Sequence, residues 1–140
     1  MRLFSYQDQS QQKRVGLLRA KDSSEFIDLA ATDASLPKTM LEIISTAGAM
    51  DRITQVSKSA TAVVKAVQSV QFIPVIDNPS KIICLGLNYA DHAAEGGHAR
   101  PEYPSFFMRG PSSMVGHLQP MIRPKAVSYT HLTLPTIYSV

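Results

Sequence analysis

The sequence predicts an α+β, mostly β protein in two parts. A small N-terminal antiparallel β unit with helices spans residues 1–72, and the start of a second, sheet-forming domain spans 73–127. Three observations predict this. Short β-prone runs separated by polar turn clusters open the chain. Apolar residues at helical spacing follow from Pro37 onward. Then a continuous apolar run, KIICLG, ends at a glycine and leads into a helix-compatible stretch.

Residues 2–6 (RLFSY), 14–19 (RVGLLR) and 25–30 (EFIDLA) read as strands, with QDQSQQK and AKDSS as the turns between them. Pro37 opens PKTMLEIISTAGA. Ser35 is the expected N-cap, Met40, Leu41 and Ile44 share one helical face, and Gly48 is the expected stop. Residues 50–69 keep helix-compatible spacing through Ile53, Val56, Ala60, Val63 and Val64, although their β-branched content weakens the helix. QFIPVIDNPS (71–80) is a proline-punctuated connector. KIICLG (81–86) reads as a fully buried strand.

A short helix should follow, with Asn88 as N-cap and Asp91 reaching back from its first turn. GGHARPEYP (96–104) is loop, SFFMRG (105–110) strand, and GPSSMVGHLQP (110–120) loop. PMIRPKA (120–126) is a short edge strand between prolines. The final SYTHLTLPTIYSV (128–140) neither continues the preceding pattern nor carries an acidic or basic group beyond one histidine. It resembles the translation of a sequencing-adapter read-through. Residues 128–140 are therefore expected to be foreign, and the native sequence to break off near Val127.

Composition narrows the function classes. With 44% hydrophobic and 18% charged residues the chain has the balance of a globular protein rather than a disordered one. No apolar run approaches the ~20 residues a membrane helix needs, and the polar N-terminus is unlike a secretory signal. The lone Cys84 cannot form an internal disulfide, which with the missing signal predicts a reducing, cytoplasmic setting. The formal charge of +3 is scattered rather than gathered into a patch, so neither nucleic acid nor membrane is an expected partner.

The chemistry concentrates in residues 81–97. His92 and Glu95 lie three apart, so a helix presents them side by side, a plausible general-base arrangement. The same spacing is also common in plain surface pairs. Cys84, inside an apolar run, reads as structural. Arg109 and Ser112–Ser113 could hold an anionic substrate or form an ordinary turn with a solvated arginine. His117 reads as a loop residue before a pocket residue, and His98 carries no signal. There is no dinucleotide fingerprint, phosphate loop, nucleophile elbow or H-E-x-x-H. Asp77, Asp91, Glu95 and Glu102 make no convincing metal cluster.

KIICLGLNYADHAAE, followed by PSFFMRGPSSMVGHLQPMIRPKA, resembles the opening of the catalytic domain of the fumarylacetoacetate hydrolase superfamily. The upstream MRLFSYQDQSQQKRVGLLRAKDSSEFIDLAA is similar to the small N-terminal domain of many bacterial members. The resemblance implies a mixed β-roll, a homodimer, and a divalent metal such as magnesium or manganese. It also implies a small 2-oxo acid substrate and, foremost, hydrolytic C–C cleavage of an acylpyruvate. Isomerase, hydratase or decarboxylase chemistry within the same superfamily is the alternative.

The histidine of the family's N-Y-x-x-H motif falls on His92, and its partner glutamate on Glu95, which together would activate water. Arg109 and Ser113 fall where similar proteins line the pocket entrance. The expected metal ligands, an E-x-E pair and a later aspartate, would lie after RPKA. No metal ligand is thus expected in the sequence before Val127, and this chain alone is expected to be inactive. A non-catalytic structural or interaction protein is the reading from another class.

Overall fold

A computed structural model describes residues 1–99 and 101–122. The tail read as foreign, 128–140, lies outside the described residues, as does most of the edge strand expected over 120–126; Met121 and Ile122 are not strand.

The N-terminal part is a five-stranded antiparallel sheet. Its strands are β1 (Arg2–Gln7), β2 (Lys13–Leu18), β3 (Glu25–Asp28), β4 (Val64–Ala66) and β5 (Gln71–Phe72), in the order β4-β3-β2-β1-β5. The first turn is built by Asp8, whose Oδ1 accepts from the Ser10 and Gln12 amides while Oδ2 accepts from Arg14 Nε at 2.8 Å. That side chain mimics a backbone turn and fixes the register Tyr6↔Arg14. The β1–β3 register puts successive residues on opposite faces.

One face carries Val15, Leu17 and Ile27 against three short helices: α1 (Leu29–Thr32), α2 (Met40–Ser45) and α3 (Ala49–Val56). Leu29, Leu36, Met40, Ile43, Ala49 and Ile53 fill that side of the core. The other face holds an aromatic cluster. Phe26 stands edge-on to both Phe4 and Tyr6 at 5.1 and 5.0 Å, and Phe72 lies 5.2 Å from Phe4. These are the offset geometries that aromatic quadrupoles favour. Gly16 makes room for them: a Cβ there would sit 2.6 Å from Phe4 and 2.7 Å from Phe26.

Asp28 ties the sheet to the helices. It is fully buried and N-caps α1, accepting from the Ala31 amide at 3.1 Å. Lys65 Nζ of β4 donates to its Oδ2 at 2.6 Å, and Arg14 of β2 lies 3.9 Å from its Oδ1. Burial alone would raise the Asp28 carboxyl. The Lys65 ammonium, the nearby Tyr6 hydroxyl and the Ala31 amide outweigh burial and hold it below the usual carboxylate range. The Tyr6 hydroxyl is buried without a hydrogen bond of normal geometry among the described residues. Burial first, and then the Asp28 carboxylate, push its pKa far up.

The second part is a two-stranded antiparallel sheet of β6 (Ile82–Gly86) and β7 (Ser105–Arg109), bridged by α4 (Ala90–Glu95). The α+β class read from the sequence is the class observed. Both described sheets are antiparallel.

Several local expectations need correction. The N-cap of α2 is Thr39, not Ser35: Thr39 and Glu42 form a reciprocal capping box, while Ser35 bonds to Asp33 instead. The buried stripe of α2 is Met40 and Ile43, which leaves Leu41 and Ile44 exposed. Gly48 does not stop that helix. It is the left-handed N-cap (φ 76°) from which α3 departs. The helical spacing read over 50–69 ends at Val56, and the β-branched Val64 joins β4, where such side chains pack well. Part of the expected connector, Gln71–Phe72, is the edge strand β5. Finally, β6 is not fully buried. It alternates half-buried and exposed, because among the described residues its sheet has only two strands.

Candidate functional site

β6 ends at Gly86, and the chain turns sharply into α4. Leu87 takes the left-handed conformation, φ 49°, at this turn. A branched residue there is costly and persists only where its surroundings hold it. The N-cap of α4 is Tyr89, without a side-chain cap, so the expected Asn88 cap is not formed. The helix runs for six residues and stops in a closed C-terminal motif. Gly97, φ 68°, donates to the Ala94 carbonyl at 3.0 Å, and His98 donates to the Ala93 carbonyl at 2.8 Å. The Gly96–Gly97 pair thereby ends the helix at Glu95.

Ala93 is the buried residue of α4 and anchors it. At about 100° per residue, His92 and Glu95 fall together on the face roughly opposite Ala90 and Ala93. Both are exposed. The side-by-side pair anticipated from spacing is therefore present and open to solvent.

On the other side of the helix lies an open hollow of about 390 Å³. Backbone and side chains from Gly86, Leu87, Asn88, Ala90, Ala93 and the Pro101–Pro104 loop line it. His92 and Glu95 do not. The local sequence pattern does not foretell this hollow, which forms where the Gly86–Asn88 turn faces the Pro101–Pro104 loop. It brings Asn88 and Glu102 to one concave surface.

Arg109 and Ser113 sit elsewhere. The register pairs Gly86 with Ser105 but Ile82 with Arg109, so Arg109 lies about 13 Å along the strand from the end that launches α4. Ser113 closes a 3₁₀ turn (Pro111–Ser113), its Oγ donating to the Gly110 carbonyl at 2.7 Å. Both residues are exposed. Arg109 thus lies at the strand end away from the one that launches α4, and Ser113 four residues further on. Cys84, expected to be buried, is half-buried in β6. His117 packs edge-on to Phe72 of the N-terminal sheet, 5.2 Å between centroids.

Among the described residues no three His, Cys, Asp or Glu side chains are grouped to hold a metal ion. These residues do not fit the divalent metal that the resemblance implies. The ligand positions expected after Val127 lie outside the described residues. No helix among the described residues is long and apolar enough to cross a membrane.

Comparison with known proteins places this geometry. A family profile described as the C-terminal part of fumarylacetoacetate (FAA) hydrolase matches residues 81–133. The chain is 32% identical over 126 residues to a mitochondrial oxaloacetate tautomerase of Xenopus laevis, covering 89% of this chain and 39% of that protein. It is 39% identical over 59 residues to the homoprotocatechuate catabolism bifunctional isomerase/decarboxylase of Escherichia coli, covering 41% of this chain and 14% of that one. A crystal structure assigned as an HpcE protein from Mycobacterium smegmatis aligns with a TM-score of 0.63 at 21% identity, over 89% of this chain and 41% of that one. The chain thus spans about two-fifths of the length of the Xenopus relative.

Proposed function

Because this chain belongs to the fumarylacetoacetate hydrolase superfamily, we propose that it carries the histidine-bearing part of an enzyme acting on small 2-oxo acids. The proposed reaction is proton transfer beside the ketone, an isomerase-type step. The named relatives support this over the hydrolytic C–C cleavage read first from the sequence: one is an oxaloacetate tautomerase, another an isomerase/decarboxylase. Cleavage of an acylpyruvate by His92-activated water is the second reading, and it uses the same pair.

The observation that carries the proposal is the free presentation of His92 and Glu95. They share one exposed face of a helix that is locked at its start by the Leu87 turn and at its end by Gly97. A neutral imidazole there takes the proton from the enol oxygen or the carbon next to the ketone and returns it to the other position. Glu95, one turn on, orients the ring and balances the imidazolium. Arg109, with its planar fork, is proposed to hold a substrate carboxylate, and Ser113 to assist it. A divalent magnesium or manganese ion and a homodimer belong to the proposal as well. The metal's donors would come from outside the described residues, and no step here runs through it. The Xenopus relative carries a mitochondrial designation, so the cytoplasmic setting expected from the sequence is to be tested by fractionation.

The test is enol-to-keto conversion of oxaloacetate, followed beside acylpyruvate cleavage, for the chain and for His92→Ala and Glu95→Gln. Loss of tautomerisation by about 10²-fold or more in His92→Ala, with folding intact, supports the assignment. Turnover that His92→Ala leaves unchanged overturns it. A folded chain with no turnover of either substrate is the outcome expected of the chain alone, and the same two substitutions in a full-length relative then decide.

A further inference from the structure

A feature outside the α4 region joins the two parts of the molecule. Residues 111–122 are largely exposed, yet Gly116 among them is buried. A Cβ at Gly116 would lie 2.1 Å from the Phe72 carbonyl oxygen and 2.9 Å from the Ile73 Cα. Backbone therefore meets backbone at this point, and only glycine permits it. On one side of Gly116 the His117 ring stands at 80° to Phe72. Just beyond, Gln71 Nε2 donates to Gln119 Oε1 at 3.0 Å. The Gln119 amide closes the turn onto the Gly116 carbonyl at 3.1 Å. Leu118, 81% exposed, is held at φ 61°. An exposed branched residue gains nothing by burial there, so the docked turn itself imposes that conformation.

The place of contact matters. β5 is the edge of the five-stranded sheet and pairs with β1 through two residues only. An edge strand needs a cover. Between Phe72 and Gly116 the chain runs out through β6, α4 and β7 and back, so the contact closes one large loop containing the entire hairpin.

The geometry points to Gly116–Gln119 as a strap. It docks on β5, protects the open sheet edge, and sets how the hairpin carrying His92 sits against the N-terminal unit. Gly116 is its control point. Its backbone is not left-handed, so an alanine there acts only through the steric clash with the Phe72–Ile73 backbone. This inference stands on packing and does not depend on the proposed reaction.

Amide hydrogen exchange and limited proteolysis of the full chain test it. Gly116→Ala is expected to speed exchange at the Ile73 and Gln119 amides, which donate to Ser5 and Gly116, by tenfold or more. It is also expected to hasten cleavage within 111–122, while β1–β2 protection is kept. His117→Ala and Gln119→Ala should shift the same amides less. Gly110→Ala, whose Cβ would meet only Ser112 Oγ at 3.6 Å, should shift nothing. Unchanged exchange at Ile73 and Gln119 in a folded Gly116→Ala chain overturns the strap. If Gly116→Ala loses β1–β2 protection as well, His117→Ala and Gln119→Ala decide: slowed or unaltered exchange in both overturns it, faster exchange at those two amides supports it.

Discussion

At the scale of single residues, Asp28 is the most consequential side chain of the N-terminal unit. It is the one buried carboxylate that joins β2, β3, β4 and α1. Its pKa is lower folded than unfolded. Its contribution to stability is therefore fully present above the unfolded value near 3.9 and is lost as pH falls through the folded value. Thermal melts taken from about pH 6 to about pH 2 should show stability falling below about pH 4. Asp28→Asn can still cap α1 but removes the charge. It should cost about 2 kcal/mol at neutral pH, a figure lowered because Lys65 can turn to solvent, and should flatten the acid limb. An acid limb as steep as in the parent chain would show that other carboxylates govern it. The sequence gives little warning of this role. EFID reads as a strand end, and only the pairing that sets Asp28 beside Arg14 and Lys65 exposes its function. His92 and Glu95 were legible because helical spacing alone makes them neighbours; Arg109 was placed by register, which a local pattern does not carry.

Among elements, the short helices show which local signals win. Ser35 and Thr39 both precede an apolar run, and both are good N-caps. Thr39 prevails because Glu42, three residues on, bonds back to the Thr39 amide at 3.1 Å and also to the Lys38 amide at 2.8 Å. The Lys38 and Thr39 amides hold the Glu42 carboxyl below its usual range. Thr39→Ala is expected to destabilise the unit by about 1 kcal/mol, whereas Ser35→Ala should cost much less at this helix. Equal losses measured by urea titration would mean that the capping box contributes nothing specific. The stretch from 57 to 69 departs from its helical spacing for a different reason. Its apolar residues fit helical spacing, but Val63 and Val64 are β-branched. Asp28 ties this stretch to the sheet: its amide donates to the Val63 carbonyl at 2.9 Å and its carboxylate accepts from Lys65. Long-range pairing overrode a local period.

Across the whole molecule, burial is unevenly shared. Among the described residues, twelve of the thirteen buried apolar side chains lie between Phe4 and Ile53, and the thirteenth is Ala93 of α4. One face of the β6–β7 hairpin presents Ile83, Leu85, Phe106 and Met108, exposed by 62%, 47%, 64% and 64%. A two-stranded ribbon without a covered face is marginal in water, and local stability follows buried apolar contact. Hydrogen exchange should therefore divide the chain. Amides of β1, β2 and β3 should exchange at rates near the global unfolding limit, and those of β6 and β7 orders of magnitude faster. Phe106→Glu with Met108→Glu should leave the melting of the N-terminal sheet unchanged, because no buried residue of that sheet depends on them, and should lower any self-association seen by sedimentation. Comparable protection in β7 and β2 would instead mean that the hairpin draws stability from the N-terminal unit. The Gly116 strap is the contact through which it could do so, and protection in β7 would then disappear in Gly116→Ala.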